Sequence, residues 1–219
     1  MQAYQRDFVD LLVRFEVLRF GEFTLKSGRT SPYFVNAGQL RTGAAIAALG
    51  RAFAQRMTAA GLVANADLIF GPSYKGVPLA VATAAALADG GNDIGYAFDR
   101  KEAKDHGEGG VFVGSAPGDG SRVVIVDDVI TSGRSIREAA QLLAAAGDVK
   151  LSGVIVAVDR QERGQGTQTT LTELEAELGA PVLPVVSITE VVADLAERGV
   201  IGDGQRDAVL AHVAEHGAR

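Results

Sequence analysis

Residues 123–135 read V-V-I-V-D-D-V-I-T-S-G-R-S, and this segment indicates both the fold class and a first candidate site. Four apolar residues lead directly into two adjacent carboxylates, Asp127 and Asp128, and a loop of hydroxyls and glycine then opens a helix. A continuous apolar strand followed by a helix is typical of a parallel sheet that is covered on both faces. Amides and hydroxyls at a helix N-terminus form an anion site suited to a phosphate monoester. Carboxylates accept hydrogen bonds from sugar hydroxyls and can hold hydrated magnesium, so the segment predicts a site for a ribose 5-phosphate.

The plainest alternative for this segment is a helix N-cap formed by Thr131 or Ser132. A cap alone does not require two acids ahead of the loop. Other nucleotide-binding fingerprints do not fit, because the chain has no G-x-x-x-x-G-K-[ST] motif. Its Gly118-Asp119-Gly120 segment precedes a predicted strand instead of following one.

Helices and apolar strands alternate on both sides of this segment. Apolar residues recur at helical spacing near the N-terminus, and a strand-and-turn segment with its turn at 26–29 follows. We expect helices over about 4–18, 43–60, 77–88, 134–146, 170–178, 189–198 and 203–216, and strands over about 67–70, 94–98, 123–126, 153–158 and 182–187. This order predicts an α/β fold with a central parallel sheet flanked by helices.

Three further polar segments follow strands of the predicted sheet. They are G-P-S-Y-K-G (71–76), D-R-K-E-A-K-D-H (99–106) and D-R-Q-E-R-G (159–164). Ligands bind outside the carboxyl ends of the strands in such sheets, so we expect these segments to border one site. The second segment has a cluster of basic residues followed by glycines, which favours a flexible loop over about 99–110 that closes on an anionic ligand. A solvated surface turn is the alternative for the same charge run.

The composition narrows the class of protein. The 219 residues are 47% hydrophobic and 22% charged, with a net charge of −6 and no cysteine. Without cysteine there are no disulfides, no thiolate catalysis and no metal ligation through sulfur. The acidic balance argues against a nucleic-acid coat or a binder of anionic membranes. The longest uncharged stretch has 13 residues, and a spanning helix needs roughly 18. With no apolar leader at the N-terminus, we expect a cytoplasmic protein without a membrane or nucleic-acid partner.

Several of these motifs carry a family resemblance. V-V-I-V-D-D-V-I-T-S-G resembles the phosphoribosyl-pyrophosphate binding motif of type I phosphoribosyltransferases. F-G-E-F-T-L-K-S-G-R-T-S-P-Y-F-V-N-A-G, F-G-P-S-Y-K-G, R-K-E-A-K-D-H-G-E-G-G and D-R-Q-E-R-G are similar to segments of orotate phosphoribosyltransferases and occur in the same order. The resemblance covers the chain from Tyr4 to about Gly164.

The resemblance implies a fold and an activity. The fold is a single phosphoribosyltransferase domain over residues 1–219, with a small hood from about 1–40 and the C-terminal part, and a flexible catalytic loop at about 99–110. The reaction transfers ribose 5-phosphate from phosphoribosyl pyrophosphate to orotate, which gives orotidine 5′-monophosphate and pyrophosphate in pyrimidine (UMP) biosynthesis. Mg²⁺ is the implied cofactor, held mainly through ligand and water. A homodimer is also implied, in which the loop reaches the neighbouring site.

The resemblance also assigns residues to roles. Those implied to be catalytic are Arg100, Lys101, Lys104 and His106. Those implied to bind phosphoribosyl pyrophosphate are these four with Lys26, Tyr74, Lys75, Asp127, Asp128, Val129, Ile130, Thr131, Ser132, Gly133, Arg134 and Ser135. Those implied to bind orotate are Lys26, Phe34, Val35, Thr131 and Arg160.

Physical reasoning supports some of these roles and leaves alternatives for others. An arginine such as Arg160, placed after a buried strand, needs an anionic partner, and its planar guanidinium matches a planar carboxylate. Local pairing with Asp159 is the alternative. Lone lysines such as Lys26 and Lys75 are more often surface residues with buried stems.

Other positions depart from the family pattern or stand outside it. Val35 stands where an aromatic is common, and Arg134 replaces a small residue, so that it either touches a phosphate or points into solvent. His212 and His216 are four apart on the last predicted helix, and we expect exposed side chains there. The alternatives for function are a phosphoribosyltransferase for another base and a regulatory protein that senses phosphoribosyl pyrophosphate.

Overall fold

The computed structural model describes residues 1–25, 28–104, 110–130, 132–164 and 166–218, and for residues 101–104 it describes the backbone alone. The helices in these residues are α1 (Ala3–Arg14), α2 (Gly43–Ala59), α3 (Gly76–Asp89), α4 (Arg134–Ala144), α5 (Thr170–Leu178), α6 (Ile188–Glu197) and α7 (Asp203–His216). The strands are β1 (Leu18–Thr24), β2 (Thr30–Val35), β3 (Leu68–Gly71), β4 (Gly95–Lys104), β5 (Gly110–Gly114), β6 (Arg122–Ile130), β7 (Lys150–Asp159) and β8 (Val182–Ser187).

Six of these strands form a central sheet in the order β5-β4-β3-β6-β7-β8. All neighbours in it are parallel except β4 and β5, which pair antiparallel. The predicted α/β fold with a central parallel sheet is therefore confirmed. The patterns in the sequence did not predict β5, because its five residues come directly after a charged run that favoured a loop.

Strand β6 lies inside the sheet and is buried on both faces. Val123, Val124, Ile125 and Val126 have no exposed surface. Successive side chains of a strand point to opposite faces. Accordingly, Val124 and Val126 belong to the core formed with α1, α2, α3 and α6, whereas Val123 and Ile125 belong to the core formed with α4 and α5. This double coverage is the reason for the uninterrupted apolar run.

The second sheet is a two-stranded hairpin of β1 and β2, with Leu18 opposite Val35. Its strands lie on both sides of the predicted turn, where the amide of Leu25 donates to the carbonyl of Arg29 over 2.8 Å. Helix α7 packs on β2, and a cavity of about 700 Å³ between them is lined by residues including Ser31 and Ala208. The hairpin and the last helix thus form one layer.

Two predicted elements have different limits in the structure. Helix α1 ends at Arg14 and not near 18, because Glu16 adopts a left-handed conformation with φ 53° and Leu18 begins β1. Residues 99–104 belong to β4 and not to a loop, because Asp99 pairs opposite Phe112 of β5 and, after a shift in register, Lys104 pairs opposite Gly110. The rest of the predicted loop lies mostly outside the described residues. The described residues contain no helix with the length and apolar character needed to span a bilayer.

Candidate active site

The two adjacent acids lie near the carboxyl end of β6 and are almost completely buried. Asp127 and Asp128 are 6% and 8% exposed. The Ser135 hydroxyl donates to Oδ2 of Asp127 over 2.5 Å, and Nζ of Lys75 donates to Oδ2 of Asp128 over 2.6 Å. The remaining oxygens accept backbone amides, Oδ1 of Asp127 from Asp128 and Oδ1 of Asp128 from Val129. Every carboxylate oxygen of the pair therefore has a donor.

The environment of Asp127 disfavours its charged form. Burial raises the pKa of Asp127, the Asp128 carboxylate adds to that increase, and the hydrogen bond from Ser135 opposes it. A buried acid kept in place by a hydroxyl can exchange that partner for a ligand hydroxyl at little cost in geometry.

Lys75 reaches the acids from the segment between β3 and α3. Its side chain is 68% exposed, although its ammonium contacts Asp128. Two glycines let the segment turn tightly, since a Cβ on Gly76 would lie 2.6 Å from the carbonyl carbon of Gly71. Ser73 fixes the same segment to β4, because its amide donates to Oδ1 of Asp99 over 2.7 Å and its hydroxyl donates to the Asp99 carbonyl. Tyr74, between these residues, is 67% exposed.

The loop after β6 borders a cavity of about 290 Å³. Its lining includes Asp127, Val129, Ile130, Ser132, Gly133, Arg134 and Ser135. Gly133 has φ 69°, and a Cβ there would lie 2.8 Å from Cδ1 of Leu174, so both conformation and packing favour glycine. The N-cap residue of α4 is Gly133, which has no side chain to donate or accept a capping bond, so the interpretation as a cap by Ser132 is wrong, and Thr131 lies outside the described residues.

Arg137 holds this loop from outside the cavity. Its Nη1 donates to the Ser132 carbonyl over 2.5 Å. Its Nε and Nη2 pair with the two carboxylate oxygens of Glu177 on α5, at 2.5 and 2.9 Å. The loop is thereby tied to the neighbouring helix, which the sequence patterns did not reveal. Arg134, by contrast, pairs with Glu138 at 2.7 Å and its side chain is 80% exposed, so in this structure it points into solvent.

Arg160 lies directly after β7 and is buried, with 6% of its surface exposed. Its Nη2 and Nε donate to Oε1 of Glu162 over 2.5 and 3.0 Å, and its guanidinium lies 4.6 Å from the ring centre of Tyr33. Asp159 instead accepts the amide of Gln161. The alternative of local pairing with Asp159 is therefore wrong, and the anionic partner is Glu162.

Phe34 and Val35, the predicted orotate residues on β2, follow Tyr33 in the chain but have other contacts. Phe34 stacks on Phe23 with ring centres 5.6 Å apart, and Val35 packs against the core formed with α1, α2, α3 and α6. Tyr33, which no sequence motif singled out, is the residue of β2 that contacts Arg160.

The position of His212 differs from the prediction of an exposed side chain. It is buried, with 6% of its surface exposed, and its Nε2 lies 3.3 Å from Oε1 of Glu162. Burial lowers the pKa of His212, and the hydrogen bond with Glu162 opposes that decrease. His216 lies beside it with ring centres 4.5 Å apart and is partly buried. The expectation of exposed histidines is wrong, because α7 packs on β2.

The predicted basic residues are described only in part. Arg100 lies on β4 and is half-buried. Lys101 and Lys104 lie on the same strand, with the backbone alone described. Lys26, His106 and Thr131 lie outside the described residues.

The acids fit a hydrated cation better than a protein cage. Within the described ranges, no group of three or more histidine or carboxylate side chains is arranged to hold a metal ion. The carboxylates of Asp127 and Asp128 already accept protein donors, and each oxygen keeps a second lone pair that a metal-bound water can use. The residues present therefore fit Mg²⁺ that is held mainly by ligand and water.

Comparison with known proteins agrees with this geometry. The family model of the phosphoribosyl transferase domain matches residues 36–176. The orotate phosphoribosyltransferase of Nitrosococcus oceani is 52% identical over 90% of this chain and 89% of its own, and that of Halorhodospira halophila is 50% identical over the whole of both chains. A crystal structure of the Francisella tularensis orotate phosphoribosyltransferase is 35% identical, covers 96% of this chain and 99% of its own, and has a TM-score of 0.85. The chain therefore belongs to the phosphoribosyl transferase family and, within it, to the orotate phosphoribosyltransferases.

Proposed function

We infer that this chain catalyses the transfer of ribose 5-phosphate from phosphoribosyl pyrophosphate to orotate, as an enzyme of pyrimidine biosynthesis. The observation that carries the inference is the arrangement at the end of β6, where Asp127, Asp128 and Lys75 meet beside the 290 Å³ cavity of the following loop. Similarity over the full length to orotate phosphoribosyltransferases selects orotate as the base. This similarity supports neither a phosphoribosyltransferase for another base nor a regulatory protein that senses phosphoribosyl pyrophosphate.

The reaction exchanges one anionic substituent of the sugar for a base. As the bond from the anomeric carbon to pyrophosphate breaks, positive charge develops on the sugar and negative charge on the leaving group, and a ring nitrogen of orotate forms the new bond to that carbon and gives up its proton. Preorganised cations near the departing polyanion are the effective means of catalysis. We assign that role to Arg100, Lys101, Lys104 and His106, on β4 and the residues after it.

We assign the other ligand groups by the family resemblance, and the geometry at the end of β6 supports the assignment of the two acids and the loop. The two acids of β6 accept the ribose hydroxyls, and the loop of residues 129–135 binds the 5′-phosphate. Lys26, Tyr74 and Lys75 contact the pyrophosphate group. Orotate lies against the segment of Phe34 and Val35, with Lys26 and Thr131 beside it and Arg160 on its carboxylate.

Magnesium, when bound, neutralises charge on the pyrophosphate. Asp127 and Asp128 would hold the ion through its waters, and this second role would account for two adjacent buried carboxylates at the strand end. The acids also hold the sugar by its hydroxyls, so that the anomeric carbon is presented to the base at a fixed position.

The assembly and location that we propose follow the family resemblance. The chain forms one catalytic domain whose hood consists of the β1–β2 hairpin and α7. It acts as a cytoplasmic homodimer in which the end of β4, with Lys104, and the segment after it reach the partner's site.

The test of the base assignment compares orotate with uracil, which is orotate without its carboxylate. Release of pyrophosphate from phosphoribosyl pyrophosphate is measured with orotate, uracil, adenine and hypoxanthine. We expect kcat/KM for orotate to exceed that for uracil by at least about a hundredfold, because uracil has no carboxylate for the buried Arg160 guanidinium and leaves the N–H donors that Glu162 does not use without an acceptor. Comparable turnover of uracil or of a purine would overturn the assignment.

The test of the leaving-group role uses Lys104→Ala. We expect kcat to fall by about a hundredfold or more while both KM values change little, because the lost charge acts mainly in the transition state. Lys150→Ala is the matched control, since Lys150 is an exposed lysine at the start of β7, at the opposite end of the strands. Unchanged turnover of Lys104→Ala would refute this role.

A further inference from the structure

The Glu162 carboxylate connects the buried Arg160 to the last helix. One oxygen, Oε1, accepts from Nη2 and Nε of Arg160 and also lies 3.3 Å from Nε2 of His212. The side chains of Arg160, Glu162 and His212 are 7%, 17% and 5% exposed. A carboxylate that is this dry and touches two cationic or donor groups holds both of them firmly.

Glu162 occupies one edge of the Arg160 guanidinium, and a second edge of the group is left for another ligand. A guanidinium has five N–H donors in a planar fork. Glu162 uses the edge formed by Nε and Nη2, and in the described part of the chain no further side-chain hydrogen bond from Arg160 occurs. The edge with one N–H group of Nη1 and the second N–H group of Nη2 remains for a planar anion, which it can bind in bidentate fashion.

Tyr33 limits the remaining freedom of Arg160. Its ring lies under the guanidinium at 4.6 Å, and its hydroxyl donates to the Arg160 carbonyl over 3.4 Å. The same ring meets His212 edge-on, with centres 5.8 Å apart. Stacking defines the plane of the guanidinium, and the Glu162 carboxylate defines its rotation within that plane.

We propose that Glu162 is a positioning residue for substrate recognition, with His212 of α7 as its anchor. Glu162 turns the open edge of Arg160 toward the carboxylate of the base, and His212 keeps Glu162 from rotating. The proposal rests on the proposed function, because it takes Arg160 as the group that binds the orotate carboxylate. It gives the last helix a part in base recognition.

The test is steady-state kinetics of Glu162→Gln with each substrate varied in turn. We expect the KM for orotate to rise about tenfold, because an amide holds a guanidinium much more weakly than a carboxylate does. The KM for phosphoribosyl pyrophosphate and kcat should stay within about twofold. His212→Phe keeps the ring against Tyr33 but removes the hydrogen bond, and it should raise the KM for orotate about threefold. Glu197→Gln, an exposed acid at the end of α6, is the control and should match the parent protein.

A double variant separates positioning from general structural support. In an Arg160→Ala background, Glu162→Gln should have no further effect on the KM for orotate, because the group that it orients is gone. Additive effects, or equal loss for both substrates, would overturn the proposal. If Glu162→Gln does not fold, His212→Phe decides by the same split of KM values. An unchanged KM for orotate in Arg160→Ala would refute the orotate contact itself, whereas a rise in Arg160→Ala and none in Glu162→Gln would refute only the positioning role.

Discussion

Asp127 shows how one residue can be unfavourable for stability and useful for binding. Its carboxylate is buried, and burial raises its pKa above the ordinary value of 3.8. The unfolded chain therefore loses this proton at a lower pH than the folded chain does. The free energy of unfolding contributed by Asp127 is fully present below 3.8 and decreases as the pH rises through the folded pKa. Loss of the proton from Asp127 leaves a buried carboxylate that opposes folding.

Asp127→Asn should therefore stabilise the free protein while weakening its ligand site. An asparagine can still accept the Asp128 amide through Oδ1, and its NH₂ can donate to the Ser135 hydroxyl, which accepts as readily as it donates. We expect equal Tm values for the variant and the parent near about pH 3, and a higher Tm for the variant at about pH 7. Calorimetry should show weaker binding of phosphoribosyl pyrophosphate by the same variant.

Asp128→Asn is the matched control for this prediction. The Lys75 ammonium has no acceptor function, so that variant loses an ion pair and should gain no stability at neutral pH. If the parent protein and Asp127→Asn had the same Tm across the whole pH range, burial of the Asp127 carboxylate would not lower the stability of the protein.

At the scale of elements, the close packing of helices α2 and α3 sets the position of Lys75, which directly precedes α3. A Cβ on Gly50 of α2 would lie 2.5 Å from the carbonyl carbon of Ala82 on α3. We expect Gly50→Ala to lower the free energy of unfolding in urea by about 1–3 kcal/mol, since the helices must separate to admit a methyl group.

Gly204→Ala is the control for this packing effect. Gly204 is a helical glycine of α7, and nothing lies within 4 Å of the position that an alanine methyl group would take there. Alanine at this position should be neutral or stabilising by up to about 1 kcal/mol, because it has the higher helix propensity. Equal destabilisation by the two variants would point to a general effect of losing glycine and would contradict the packing account.

At the scale of the whole molecule, the proposed dimer divides each site between two chains. Lys104→Ala impairs the segment that reaches across, and Asp128→Asn impairs the site that receives it. When the two inactive variants are mixed and exchange subunits, half of the dimers should be mixed and have one intact site each, which restores about a quarter of the parent activity. No recovery after verified subunit exchange would show that each chain serves its own site.

The features predicted best from the sequence are those formed by residues that are close together in the chain. The apolar run of β6, its two acids and the following helix are one continuous segment, and burial on both faces is the reason that the segment can be recognised. The burial of His212 could not be predicted in this way, because it depends on Tyr33 and Glu162, which are far from it in the chain. The partner of Arg160 stood two residues away in D-R-Q-E-R-G, but spacing alone did not distinguish Glu162 from Asp159. Strand β5 was not predicted, because it pairs with the end of β4, and the charged run there favoured a loop.

The position of β6 between β3 and β7 has a consequence for how the site is lost. Strands that are paired on both sides and covered on both faces open only when the whole chain unfolds cooperatively, whereas edge strands open in local fluctuations of much lower free energy. Asp127 and Asp128 lie on β6 directly after its doubly paired part, whereas Arg100, Lys101 and Lys104 lie beyond the part of β4 that pairs with β3 and adjoin the edge strand β5. Moderate heating or denaturant should therefore remove the catalytic charges from their places before the sugar-binding half of the site is disturbed.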